Sequence, residues 1–135
     1  MTQMKKNNIE QLTSQIENLK RAGKYAEARV ILEQVVLELD ENINPDEIKP
    51  PWYHHQLSIV LKKLGAKEEA KKRLDQADEI VIRNFINQSR VIYEMPIEIR
   101  SKYYPNGPIV SHKVIDAAAR LQKSNPELVK LAGLL

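Results

Sequence analysis

A chain of 135 residues with 21 basic residues, 18 acidic ones, a net charge of +3 and no cysteine is sized for one domain, and it excludes disulfides, zinc–thiolate sites and thiol nucleophiles. Hydrophobic residues make up 42% and charged residues 29%, the balance of an ordinary helix-leaning globular chain rather than a disordered one. Apolar runs such as Val35-Val36-Leu37 and Ile80-Val81-Ile82 are too short to span a bilayer, and none follows the lysines of MTQMKKNNIEQL, so no membrane span or secretory signal is read and the cytoplasm is the expected address.

Residues 1–8 are polar and read as a frayed end. From there the apolar residues fall at Ile9, Leu12, Ile16 and Leu19, the spacing of one helical stripe. Gly23 closes it, since a glycine just past a periodic stretch, with Lys20 and Arg21 in the last turn, has the marks of a left-handed C-terminal cap. A second helix follows from about Lys24 to Leu39. Its Val30, Ile31, Leu32, Val35, Val36, Leu37 and Leu39 cover so much of the circumference that packing on more than one side is expected. DENINPDEIKPP breaks the pattern. Within it, Asn44-Pro45-Asp46-Glu47 can cap a single turn and Pro50-Pro51 can open the next helix.

That third helix carries Tyr53, Leu57, Val60, Leu61 and Leu64 on one face and stops at Gly65. The fourth starts at Ala66, aligns Ala70, Leu74, Ala77, Val81 and Phe85, and runs to about Gln88. VIYEMPIEIRSKYYPNGPIVSHKVI fits either a short strand from Val91 to Ile99 or a short helix from Pro96 to about Tyr104. Its three prolines disfavour a paired central strand, so helix and loop are expected. Val114 to Leu121, with Ala117-Ala118-Ala119, reads as a helix. Asn125-Pro126-Glu127 caps a final one holding Leu128, Val129, Leu131, Leu134 and Leu135. The fold class is all-α.

One stretch is written twice. GKYAEARVILEQV begins at Gly23 and GAKEEAKKRLDQA begins at Gly65, forty-two residues later. Leu19 matches Leu61, Lys20 matches Lys62, Glu27 matches Glu69, Ala28 matches Ala70, Leu32 matches Leu74 and Gln34 matches Gln76. The glycines turn the chain where positive φ is needed. The alanines let helix axes approach near the turn, and the leucines fill the gap one turn later. The pattern is that of two helical hairpins, residues 9–88, followed by a capping segment, residues 89–135, of the same domain.

On these residues the chain resembles the tetratricopeptide repeat family, whose unit is a 34-residue helix–turn–helix. Gly23, Tyr25, Ala28, Leu32 and Val35 fit the pattern of that family's second helix, as do Gly65, Ala70, Leu74 and Ala77, with Lys67 in the aromatic place. The resemblance covers about Ile9 to Ile82. It departs in period, in Ile16 and Ser58 where the first helix usually has glycine, and in lacking the closing prolines at Asp40 and Ile82. Two such repeats do not bury a continuous core, so the C-terminal segment or self-association is expected to cover the open end.

The resemblance implies a concave groove, lined by the first helix of each hairpin, that holds a peptide or helix of another protein. Carried onto this chain, its positions are Glu10, Thr13, Glu17, Lys20 and Arg21, then Trp52, His55, Ile59, Lys62 and Lys63. Trp52, His55 and Ile59 are the expected anchors, because exposed aromatic and branched side chains carry interface energy. The alternative for Trp52 is packing under the segment from Asp40 to Pro51. Lys20, Lys62 and Lys63 would favour acidic partners. The family's carboxylate-binding version uses lysine and asparagine where this chain has Thr13 and Glu17, which argues against that ligand.

No catalytic pattern is read. Four scattered glycines make no phosphate loop. His54 and His55, adjacent on a helix, point about 100° apart and do not share a metal. No cofactor, metal or enzyme activity is expected. Lys62, Lys63, Lys67, Lys71, Lys72 and Arg73 form the most basic stretch, but Glu68, Glu69 and Asp75 interleave with it, and Glu68/Lys72 and Glu69/Arg73 stand at the helical i,i+4 spacing. The expected function is a protein-interaction adaptor. The alternatives are a nucleic-acid accessory factor using the basic face and a homodimeric scaffold built on the C-terminal helices.

Overall fold

A computed structural model of the protein describes residues 6–41 and 50–134, and among these residues every regular element is a helix. In chain order they are α1 (Lys6–Arg21), α2 (Tyr25–Glu41), α3 (Trp52–Lys63), α4 (Lys67–Glu94), α5 (Ile97–Tyr103), α6 (His112–Ser124) and α7 (Pro126–Leu131). The single turn read at Asn44 to Glu47 and residues 1–5 lie outside the described residues, and the end read as frayed over residues 1–8 is helical from Lys6. By contact the chain divides into two units, and the boundary falls inside α4 between Ala77 and Asp78.

The first unit is built on its turns. Gly23 has φ 73°; its N–H donates to the Lys20 carbonyl at 3.0 Å, and the Lys24 N–H donates to the Leu19 carbonyl at 2.8 Å. Gly65 has φ 85°, with the matching pair Gly65 to Lys62 at 3.1 Å and Ala66 to Leu61 at 2.9 Å. These bonds use carbonyls that the last helical turn leaves without partners, and only glycine takes this φ without a Cβ penalty. The repeated residues Leu, Lys and Gly thus close α1 and α3 with the same bonds.

Packing follows the stripes. Ile16, Leu32, Leu57 and Leu61 are the fully buried centre of this unit's core. Ala28 and Ala70 are buried beside them. Burying each large side chain contributes about 1.5–3 kcal/mol. α2 touches both α1 and α3, as its wide apolar surface requires, yet Val30 and Leu37 stay more than half exposed. Seven residues apart, those two share one line of the helix, and it is the line facing solvent. Leu64 also departs from its expected burial: it is the cap residue of α3, past the last turn that faces the core. Leu74 is half-buried where its partner Leu32 is fully buried.

In the second unit, α4 continues past Gln88 to Glu94. It stops because Pro96 offers no N–H and disfavours helical backbone at Met95. Pro96 then opens α5, its carbonyl accepting the N–H groups of Ile99 and Arg100 at 3.0 Å each. The Tyr-Pro-Asn-Gly stretch is a turn, closed by the Gly107 N–H on the Tyr104 carbonyl at 3.0 Å. Ser111 caps α6 by accepting the Val114 N–H at 3.4 Å, and Asn125 caps α7 by accepting the Leu128 N–H at 3.3 Å. The core gathers Ile82 and Phe85 of α4 with Val114, Ala117, Ala118 and Leu121 of α6 and Leu128 and Val129 of α7. Asp78, 2% exposed, receives a forked pair from Arg120, Nε to Oδ2 and Nη2 to Oδ1, both 2.8 Å. That fork locks α6 onto α4, and it holds the Arg120 guanidinium above its ordinary pKa, first through the hydrogen bond to Asp78.

Candidate interaction surfaces

Helical phase decides which residues of α3 face outward. Tyr53, Leu57, Val60 and Leu61 are buried, and the line opposite carries Trp52, His55, Ile59, Lys62 and Lys63, at steps of three, four and three residues with Lys63 beside Lys62. On that line His55, Lys62 and Lys63 are exposed, and Trp52 and Ile59 are half-buried. Trp52 packs on the edge of the core and meets the Tyr53 ring edge-on, with centroids 5.0 Å apart. Of the segment from Asp40 to Pro51, the alternative cover for Trp52, residues 42–49 lie outside the described residues.

α1 runs beside this line. The Thr13 hydroxyl and the Tyr53 hydroxyl are 3.0 Å apart, and the Lys20 ammonium donates to the Gln56 side-chain carbonyl. Glu17 pairs with Lys20 at 3.6 Å. Thr13, Glu17 and Lys20 therefore fall together on α1, next to α3, with Thr13 and Lys20 holding the two helices side by side. Glu10 and Arg21 are exposed at the ends of the same line.

The adjacent histidines part company. His55 faces solvent, while His54 is 2% exposed, its Nε2 3.3 Å from Asp40 Oδ1 and its Nδ1 without a hydrogen-bond partner. Burial pushes the His54 pKa below its ordinary 6.5, against the pull of Asp40 and with a smaller push from Arg73. The pair ties the end of α2 to the start of α3. The Ser58 hydroxyl donates to the His55 carbonyl at 2.8 Å and so does not complete a nucleophile–histidine–acid relay. Among the described residues no group of three or more His, Asp or Glu side chains is placed to hold a metal ion.

Charge pairing on α3 and α4 differs from what the i,i+4 spacing suggests. Lys62, Lys63, Lys67, Lys71 and Lys72 are exposed. Glu69, spaced to meet Arg73, accepts instead from Arg29 of α2 at 3.2 Å, and Arg73 donates to Gln76 at 3.1 Å. Arg29 also meets Glu33 at 2.9 Å, and that hydrogen bond is the first cause of its raised pKa.

A second apolar surface lies in the segment for which the sequence leaves a homodimeric scaffold as an alternative, on residues that the sequence does not single out. In the second unit Val91, Tyr93, Ile97, Ile99, Tyr103 and Ile109 are among the large side chains left exposed. The signal was present in VIYEMPIEIRSKYYPNGPIV: apolar residues packed so densely between prolines that one short helix face does not take them all.

No family model, curated protein or solved structure matches the chain. No helix among the described residues is long and apolar enough to cross a membrane.

Proposed function

We propose that the chain is a non-catalytic interaction module of tetratricopeptide-like design, working in the cytoplasm, that holds a peptide or helix of another protein along α3. Trp52, His55 and Ile59 supply the contact, Lys20, Lys62 and Lys63 favour acidic side chains on the partner, and Thr13 and Glu17 border the site on α1. The observation that carries this reading is the outward line of α3: Trp52, at the edge of the core, and Ile59 remain partly open beside exposed lysines. Exposed aromatic surface next to charge is the composition of interaction hot spots. The repeated glycine turns support the hairpin part of the reading.

Peptides selected from a displayed library on the wild-type chain provide the test. Binding of the best sequence, followed by calorimetry, is expected to fall by about 30-fold or more in a Trp52→Ala/Ile59→Ala variant that keeps its helical circular dichroism. Unchanged affinity in that variant refutes the site. The exposed lysines of α3 and α4 favour one second reading, an accessory role on nucleic acid. In that case a single-stranded oligonucleotide binds the chain with affinity that drops steeply with salt, and the Trp52→Ala/Ile59→Ala change leaves it intact.

A further inference from the structure

The second unit exposes more apolar surface than its own core accounts for. Two hollows, of about 500 and 510 Å³, adjoin along the last turns of α4 and share Phe85, Arg90 and Pro108. Their rims carry Val91, Tyr93, Ile109, Val110 and Leu131. Ile109 is 80% exposed and Leu131 73%, the others 41–60%. Tyr93 links this surface to α5. Its carbonyl accepts Arg100 Nη1 at 3.2 Å, the same guanidinium lies 5.7 Å from its ring centroid, and its hydroxyl sits where a Cβ on Gly107 would come within 3.1 Å. α5 buries none of its own residues, although it carries Ile97, Ile99 and Tyr103.

We propose that this face is a self-association surface whose occupant is a second copy of the chain, related by a two-fold axis. Area is the first argument. The five rim residues together expose on the order of 600 Å², backbone and the Tyr93 hydroxyl included, against about 300–600 Å² for the largest apolar patch on a soluble monomer. A stable dimer buries about 800 Å² per partner, and these residues supply the larger part of that area. Relief is the second argument. A two-fold interface uses one patch twice, so the patch must carry both projections and recesses. Here the most exposed side chains, Ile109 and Leu131, stand beside the two hollows. A flat lipid surface does not fill such relief. Composition is the third. Tyr, Met and Arg are the residues enriched at interface centres, and carboxylates are depleted there. The hollows are lined by Tyr93, Tyr104, Met95 and Arg90, with no carboxylate among the lining residues.

The proposal goes beyond the α3 site and does not rest on it. Sedimentation velocity of the full chain across a wide concentration range tests it. The expected result is a concentration-dependent species of twice the 15.6 kDa chain mass. Ile109→Glu and Leu131→Glu, at side chains too exposed to hold up the fold, are each expected to weaken it by about 30-fold or more while keeping the helical circular dichroism. Val30→Glu and Leu37→Glu, which charge comparable exposed positions in the first unit, are expected to leave it unchanged. Ile109→Asn, a milder change at the same place, guards against a folding defect. A wild-type chain that stays monomeric at every concentration overturns the proposal and leaves the face to a different partner. A dimer that survives both Ile109→Glu and Leu131→Glu, or that Val30→Glu dissolves equally well, overturns it too.

Discussion

In the first unit α1, α2, α3 and the start of α4 gather Ile16, Leu32, Leu57 and Leu61 into one core, and the large apolar side chains left open there among the described residues are Val30, Leu37 and Leu64. In the second unit α6, α7 and the rest of α4 make a core of similar composition, yet Val91, Tyr93, Ile97, Ile99, Tyr103, Ile109, Val110, Ile115 and Leu131 remain open. The difference lies in how each chain segment is punctuated. In the first unit three-residue glycine turns join α1 to α2 and α3 to α4, and the apolar faces find each other within the unit. Where prolines cut the chain into short pieces, apolar side chains outnumber the faces available to bury them. The second unit is therefore the one whose surface chemistry asks for something outside itself.

The sharpest way to break this comparison is to empty one core and watch both units. Leu32→Ala and Leu121→Ala each truncate a fully buried leucine and are expected to cost about 2–5 kcal/mol. Trp52 is the single tryptophan and lies in the first unit, so its fluorescence reports that unit while circular dichroism reports both. In urea, Leu121→Ala should lose helical signal before Trp52 responds, and coincident transitions would show one cooperative core instead. The next largest effect concerns the fork on α4. Arg120→Met removes the partner of a nearly buried carboxylate and should cost about 2 kcal/mol by denaturation, tempered because Arg120 is itself 48% exposed. Arg120→Lys should recover only part of the loss, since an ammonium has no fork.

Smaller effects refine the first unit alone. Gly23→Ala and Gly65→Ala place a Cβ in open space but at positive φ, so each should lose about 1–2 kcal/mol through the backbone alone. Equal losses would support equivalent turns, and a marked inequality would count against them. The mildest effect is one of pH. His54 has a folded pKa below its unfolded value near 6.5, so the unfolded chain takes up a proton that the native chain resists. Stability is then complete above about 6.5 and declines as pH falls below it. Urea midpoints measured by Trp52 fluorescence should drop on mild acidification in wild type and drop less in His54→Gln. An identical acid response in both would assign the effect elsewhere.

What was legible in the sequence was whatever is decided over a few residues. Gly23, Gly65, Pro50-Pro51 and Asn125-Pro126 sit at helix ends because capping is a local matter, and the stripes of α1 and α3 follow from helical period; Ser111, which caps α6, is not among the caps read from the sequence. The strand alternative at Val91 to Ile99 gives way to the end of α4 and the start of α5, parted at Pro96, in line with the reading that prolines disfavour a paired strand there. Leu32 and Leu74 match in sequence and differ in burial, since burial depends on the neighbour each one meets. His54 and His55 differ for a simpler reason: one residue of helical rotation separates a core position from a solvent position. The Asp78–Arg120 fork joins residues 42 apart, and nothing in the spacing of either residue pointed to the other.

That separation also bears on the order in which the molecule assembles. The turns at Gly23 and Gly65 are closed by bonds between residues three and five apart, so they form without a search through distant parts of the chain. The Asp78–Arg120 fork must first close a long loop, and loop closure is an entropic toll levied before the contact gives anything back. The first unit closes loops of similar length, since Thr13 meets Tyr53 and Arg29 meets Glu69 across 40 residues each. Trp52 fluorescence and the final helical signal are therefore expected to recover together when the chain refolds from denaturant, and a clear lag between them would refute it. The apolar rim around Ile109 and Leu131 stays open throughout that search, which is when a concentrated solution of the chain is most prone to wrong pairings.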